Sequence, residues 1–364
     1  MHDAMDDLFA PGGEIWNFCA VMSVIFGLIW GSFFNVCIYR IPAGKSVVLP
    51  GSHCGNCGTF IRWYDNIPLV SYLLLRGNCR DCGMHFSARY FFVELLTGVL
   101  FLGIFLKFGV TWTLPFHLIF ASLLFIGIFT DIDHFILPDR FTLGGAAYAL
   151  VVALILGRHA IIADEMKLTE DIYNSFFYEN EAPLHVPVNR ITVFLFSLGS
   201  AVFGYALLAG LGIFGKVLFR KEAMGMGDLK LFAFLGAYLG AVNCVLILFM
   251  SAFIGAVWGL SLLAAHYVLS KDSYDEIVLD PALAVKSQMP CVIPQSDAVS
   301  TGEQADPETG FPSLIHMKIA RTTGRQLRHI PYGPYIAVAA LTVLLAREKI
   351  HTSIQDFFLV AAGL

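Results

Sequence analysis

The chain has 364 residues, 57% of them hydrophobic and 14% charged, with a mean hydropathy of +0.70, and this excludes an ordinary water-soluble globular domain. It reads as an all-α, polytopic membrane protein. The net charge of -5 has little meaning as a sum, because charges on two sides of a bilayer must be counted separately, and nucleic acid is not among the expected partners.

A hydrocarbon core of about 30 Å takes roughly 20 apolar residues to cross. In chain order the first run is Trp16 to Tyr39. Residues 40–89 then carry "CGNC" at Cys54 to Cys57 and "CRDC" at Cys79 to Cys82, with 21 residues between the pairs. Each Cys-x-x-Cys turn can present two sulfurs to one ion, so Cys54, Cys57, Cys79 and Cys82 are expected to hold a structural Zn²⁺. The remaining cysteines, Cys19, Cys37, Cys244 and Cys291, have no such pattern and read as packing residues.

Further runs follow at Tyr90 to Phe108 and Thr111 to Thr130, the latter ending in "TDIDHFILPD". Ionisable residues at membrane depth are costly and mark functional sites. Asp139 follows Pro138 just before the fourth run, Phe141 to Gly157, where a helix N-cap is the simplest role, and Asp133 points elsewhere on a helix than Asp131. Residues 158–190 are acidic and read as a solvated loop. A fifth run spans Ile191 to Phe219, and a short sixth, Leu229 to Val242, opens with "AMGMGDLKLF", which puts Asp228 behind Gly225 and Gly227. Cys244 to Leu269 and Tyr332 to Ala346 complete eight candidates, separated by the polar, Pro/Gly-punctuated segment 270–329.

If the loops after odd-numbered spans face the cytoplasm, they carry 17 of the 23 Lys and Arg residues, which puts both termini outside. On that topology Asp131 ends the third span and Asp228 begins the sixth at the same face. Two carboxylates within hydrogen-bond distance share a proton, so one can act as base toward water and the other as acid. A Gly-x-Gly-Asp turn also lets a substrate backbone lie close, with no Cβ in the way.

The chain resembles the prepilin peptidases, bifunctional leader peptidases and N-methyltransferases of type IV pilus and type II secretion systems. The landmarks are "GSFFNVCIYRIP" from Gly31, "NIPLVSYLLLRGNCRDC" from Asn66, "SARYFFVELLTG" from Ser87, "DIDHFILPD" from Asp131, "GMGDLKLFAFLGA" from Gly225 and "IPYGPYIAVAA" from Ile330. The resemblance implies an aspartic peptidase with Asp131 and Asp228 as its catalytic pair, in the bacterial inner membrane with periplasmic termini. It would act at the cytoplasmic face on type IV prepilins or type II secretion pseudopilins, with membrane lipid around it. It also implies N-methylation of the new amino terminus with S-adenosylmethionine, for which Gly31, Asn35, Tyr39, Arg40 and Gly77 are candidates. Residues 1–39 would form the outside terminus and first span, 40–89 a cytoplasmic zinc domain, and 90–364 the peptidase core with an outside loop 158–190 and a cytoplasmic insertion 270–329. Asn78, just before Cys79, departs from the basic residue expected there, and both long segments depart from the family's short connections. The rival reading is a Mg²⁺-dependent membrane transferase for a phosphate-bearing lipid, with Asp131, Asp133, Asp139 and Asp228 as ligands.

Overall fold

The computed structural model describes residues 11–177, 185–220, 224–270 and 332–362. Among them the chain is helical, with two short 3-10 turns and only isolated β-bridges. The helices are α1 (Glu14–Arg40), α2 (Val70–Leu74), α3 (Arg89–Phe108), α4 (Leu114–His134), α5 (Asp139–Leu156), α6 (Ile161–Phe177), α7 (Arg190–Phe219), α8 (Met226–Leu239), α9 (Ala241–Ser270) and α10 (Gly333–Ala362). Six of these, α1, α3, α4, α5, α7 and α9, are long and apolar enough to cross a membrane. The protein is a multi-pass membrane protein. The 14-residue α8 falls where the sixth span was expected, and the eighth, Tyr332 to Ala346, falls on the apolar first half of α10, ahead of Arg347, Glu348 and Lys349.

By internal contacts the chain divides into residues 1–256 with 331–364, and residues 257–330. Beyond Ser270, the expected insertion 270–329 lies outside the described residues, and Cys291 with it.

Small residues set the helix packing. Without a strong hydrophobic drive between helices in lipid, close backbone approach supplies the van der Waals contact that holds them. Gly27 and Gly31, four apart on α1, press against α3: a Cβ on Gly27 would stand 2.8 Å from the Thr97 carbonyl oxygen, and one on Gly31 would stand 2.7 Å from the Glu94 Cα. Gly204 of α7 abuts the Phe232 carbonyl, and Gly236 of α8 abuts the Ser200 carbonyl. Gly145 of α5 lies flat on the Phe234 ring, 2.9 Å from the Cβ it lacks. These contacts bury α8, whose Phe232, Phe234, Leu235 and Leu239 are in the core.

Residues 158–190 are not a plain solvated loop. Their helix α6 buries Ile161, Ile162, Ala163, Met166 and Leu168 against the bundle, together with Glu165. One Glu165 oxygen accepts the Val242 N–H at 2.6 Å and the other accepts the Asn243 side-chain amide. Gly240, which precedes α9 with φ +103, has no side chain to cap the helix, and Glu165 fills that role from another element. Arg347 of α10 clamps the same end through Asp164 at 2.8 Å.

Candidate active site

Asp131 sits in the last turn of α4. The chain leaves that helix through Phe135 in the left-handed region, whose N–H returns to the Asp131 carbonyl at 2.9 Å, and Pro138 prevents further winding. This stop leaves the Asp131 side chain at the helix end, only 7% exposed. Asp228 is the third residue of α8 after the N-cap Gly225, and its carboxylate accepts the Gly225 backbone N–H. That is the returning half of a capping box, and the positive end of the helix favours an acid there.

The two carboxylates lie within electrostatic reach of each other at one end of the bundle. A third element meets them. The backbone N–H of Gly333, the first residue of α10, donates to the Asp131 carboxylate. A Cβ at position 333 would stand 2.5 Å from Asp131 Oδ2 and 3.2 Å from Leu137 Cδ1. Leu137 also closes on Gly227, 3.0 Å from where its Cβ would be, so a single leucine from the "FILPD" turn wedges both glycine segments. Beside them the Tyr332 hydroxyl meets Ser251 Oγ at 2.7 Å.

The neighbouring acids are otherwise engaged. Asp133 pairs with Arg89, whose guanidinium lies 5.8 Å over the Phe129 ring. Asp139 is the first residue of α5 rather than its N-cap, a position Pro138 occupies, and it receives the Lys230 ammonium at 2.5 Å. That contact leaves Lys230 holding α5 to α8. The roles of Arg89 and Glu94 escaped the sequence reading, although a charge at the edge of an apolar run and an acid inside it were the signals.

The four cysteines converge: their Sγ atoms all lie within 4.8 Å of one another, and Cys54 and Cys82 Sγ are 3.7 Å apart. A tetrahedron with Zn–S bonds of about 2.3 Å has an edge of about 3.8 Å, so the set fits this ion. Two matching knuckles build it. In each, the first cysteine's N–H bonds a carbonyl across the turn, Cys54 to Thr59 and Cys79 to Met84, and the glycine after the second cysteine takes positive φ, Gly58 at +73 and Gly83 at +71. The Met84 N–H and then the Asn56 amide pull the Cys82 thiol down to about 6, and the Cys57 and Asn56 N–H groups lower Cys54, both toward the thiolate a metal needs. Arg80 in the second knuckle binds Asp65 through both oxygens, at 2.5 and 2.9 Å, tying the loop between the pairs to the centre.

The five residues expected to hold S-adenosylmethionine each have neighbours of their own. Gly31 is filled by Glu94, and the Asn35 amide donates to the Tyr90 carbonyl at 3.1 Å, which joins α1 to α3. The Arg40 guanidinium binds the Ser46 and Gly51 carbonyls, the Lys45 ammonium sits 5.4 Å over the exposed Tyr39 ring, and Gly77 carries the Tyr72 ring.

Two family models match the chain: the bacterial peptidase A24 N-terminal domain over residues 25–108, and the type IV leader peptidase family over residues 182–260. Among curated proteins, the prepilin leader peptidase/N-methyltransferase of Myxococcus xanthus is 32% identical over 94% of this chain and 93% of its own length. The protein of that name from Pseudomonas aeruginosa is 31% identical over 72% of this chain and 86% of its own. A type 4 prepilin-like proteins leader peptide-processing enzyme of Escherichia coli is 34% identical over 61% of this chain and 78% of its own. No solved structure gives a significant match.

Proposed function

The chain belongs to the type IV leader peptidase family, and from that premise we propose that it is a membrane aspartic peptidase and N-methyltransferase. Its substrates are type IV prepilins or type II secretion pseudopilins, cut at the cytoplasmic face of the inner membrane, with both termini periplasmic. What supports the peptidase half is that Asp131 and Asp228 lie within electrostatic reach of each other at one end of the bundle, each with a glycine backbone N–H beside it.

In the proposed step the pair shares one proton. The ionised carboxylate takes a proton from water as the water attacks the scissile carbonyl, and the protonated partner donates to the carbonyl oxygen. Collapse of the tetrahedral species returns a proton to the departing amine. The pilin's apolar helix remains in lipid beside the spans, so its cleavage point is held at the depth of the acids.

Pairing of Asp133 with Arg89 and of Asp139 with Lys230 weighs against a four-acid Mg²⁺ site and favours the peptidase over the lipid-phosphate transferase. The four cysteines are the proposed Zn²⁺ ligands, with a structural role. The methyltransferase half rests on the activity for which the relatives are named. The methyl donor proposed is S-adenosylmethionine, and no step is assigned to Gly31, Asn35, Tyr39, Arg40 or Gly77.

Co-expression of a prepilin with the wild-type chain, with Asp131→Asn and with Asp228→Asn tests the proposal by mass spectrometry. The wild type is expected to yield a shortened, methylated pilin, while both variants leave full-length precursor. Full-length precursor with the wild type would turn the reading toward the transferase.

A further inference from the structure

We propose that α2 is embedded in the bilayer, so that the loop carrying the four cysteines is seated in the membrane surface rather than held clear of it. The inference rests on the multi-pass membrane reading and not on the peptidase chemistry.

Depth comes from a single hydrogen bond. Helix α3 has 20 residues, about 30 Å at 1.5 Å per residue, so it needs its whole length to cross the hydrocarbon core. Glu94 lies five residues below its start, roughly 7.5 Å into that thickness. Its carboxylate accepts the N–H of Leu69 at 2.8 Å, and Leu69 is the N-cap of α2. A helix anchored there begins below the membrane surface. Leu69 is held at a positive φ of 57 that a leucine seldom adopts.

The exposed face of α2 has the chemistry this depth demands. Val70, Leu73 and Leu74 stand at i, i+3 and i+4, on one face, and are 49%, 63% and 78% exposed. The opposite side is used by the protein: Ser71 Oγ donates to the Tyr64 carbonyl at 2.9 Å, and the Tyr72 ring lies 5.6 Å from that of Phe91 on α3. Phe92, Leu96 and Val99 of α3 are likewise exposed and apolar. Trp63 and the flanking Arg62 and Arg76 are residue types that anchor a segment at headgroup level. The occupant of this face is therefore lipid.

The test uses the full chain in vesicles of phosphatidylethanolamine and phosphatidylglycerol. A genetically encoded keto amino acid in place of Leu73, and separately of Leu74, is coupled to a nitroxide, which leaves every cysteine untouched. Unchanged zinc content shows that the loop keeps its fold. Collision with a nickel chelate is expected to be about tenfold weaker at both positions than at Thr59, which is exposed on the first knuckle, and to match Phe253, on the lipid side of α9. Nickel access equal to that at Thr59 overturns the proposal. So does shielding from both nickel and oxygen, the sign of a covering second copy, or shielding that arises only when prepilin is added, the sign of a substrate groove. If Phe253 is also open to nickel, the membrane reading itself has failed and the inference falls with it.

Discussion

At the level of single residues, the acids are distinguished by what holds them. Asp131 and Asp133 are two apart, yet one faces Gly333 and the other is neutralised by Arg89. Asp133→Asn is accordingly expected to keep cleavage within a few-fold of wild type while Asp131→Asn abolishes it, and the opposite result in the prepilin assay would exchange their roles. Gly333→Ala places a methyl group 2.5 Å from Asp131 Oδ2, where nothing but displacement of the carboxylate relieves it. A displacement near 1 Å costs roughly 100-fold in turnover, so kcat for a purified prepilin should fall by about that factor with KM little changed. Gly225→Ala is the comparison, since the nearest atom to its new methyl group, Asp228 Oδ2, is at an ordinary 3.5 Å. An equal loss in both variants would mean that crowding of Asp131 is not the cause.

Two elements carry stability consequences of their own. The cysteine knuckles are held by turn hydrogen bonds and the Arg80–Asp65 pair, but four converging thiols repel as thiolates unless an ion neutralises them. Cys79→Ser should lose the zinc, measured by elemental analysis, and reduce yield and methylation more than cleavage, because the dyad is built by other helices. Full zinc in that variant would remove the four-cysteine site. Helix α6 is the second case. Burial pushes the Glu165 carboxyl up to about 8, against hydrogen bonds from Val242 and Asn243 that favour its charge. The folded state thus holds a proton that the unfolded chain gives up near pH 4.5, so the stability from Glu165 is present below that pH and is lost as pH rises toward 8. The unfolding free energy should decline across this window with a slope of up to roughly 1.4 kcal/mol per pH unit, the thermal midpoint should fall with it, and Glu165→Gln should flatten both. Glu165→Ala leaves the Val242 N–H unpaired and is expected to cost about 1–3 kcal/mol at acid pH. A pH-independent midpoint in the wild type would show that Glu165 is not held neutral.

At the scale of the whole molecule, the site is a product of packing between segments far apart in sequence. That explains what was legible beforehand. The convergence of the cysteine pairs could be read because two Cys-x-x-Cys turns announce it locally, and the approach of Asp131 to Asp228 because both acids end apolar runs at one expected face. Burial of α6 could not, because an acidic segment looks solvated until Gly240 is known to leave the start of α9 open to Glu165. Nor could the hold of Gly333 on Asp131, which exists only when α10 returns to α4. The same logic locates a remote control on the chemistry. Asp228 is positioned through α8, and α8 is seated by Gly236 against the Ser200 carbonyl of α7 and by the Phe232 carbonyl against Gly204. Neither glycine is in the site. Gly204→Val forces the backbones of α7 and α8 apart, since the two nearest atoms are the Phe232 carbonyl oxygen and carbon, which no side-chain rotation can move, and the shift is carried to Asp228 along a helix buried on several sides. Cleavage by Gly204→Val should therefore fall by about 100-fold or more even in the fraction that remains folded in detergent, while its zinc content stays at the wild-type level. Gly199→Val on the same helix, where nothing lies within 4 Å of the added group, should cleave normally. If Gly204→Val cut prepilin as fast as wild type per folded molecule, the seating of α8 on α7 would not be what brings Asp228 to Asp131.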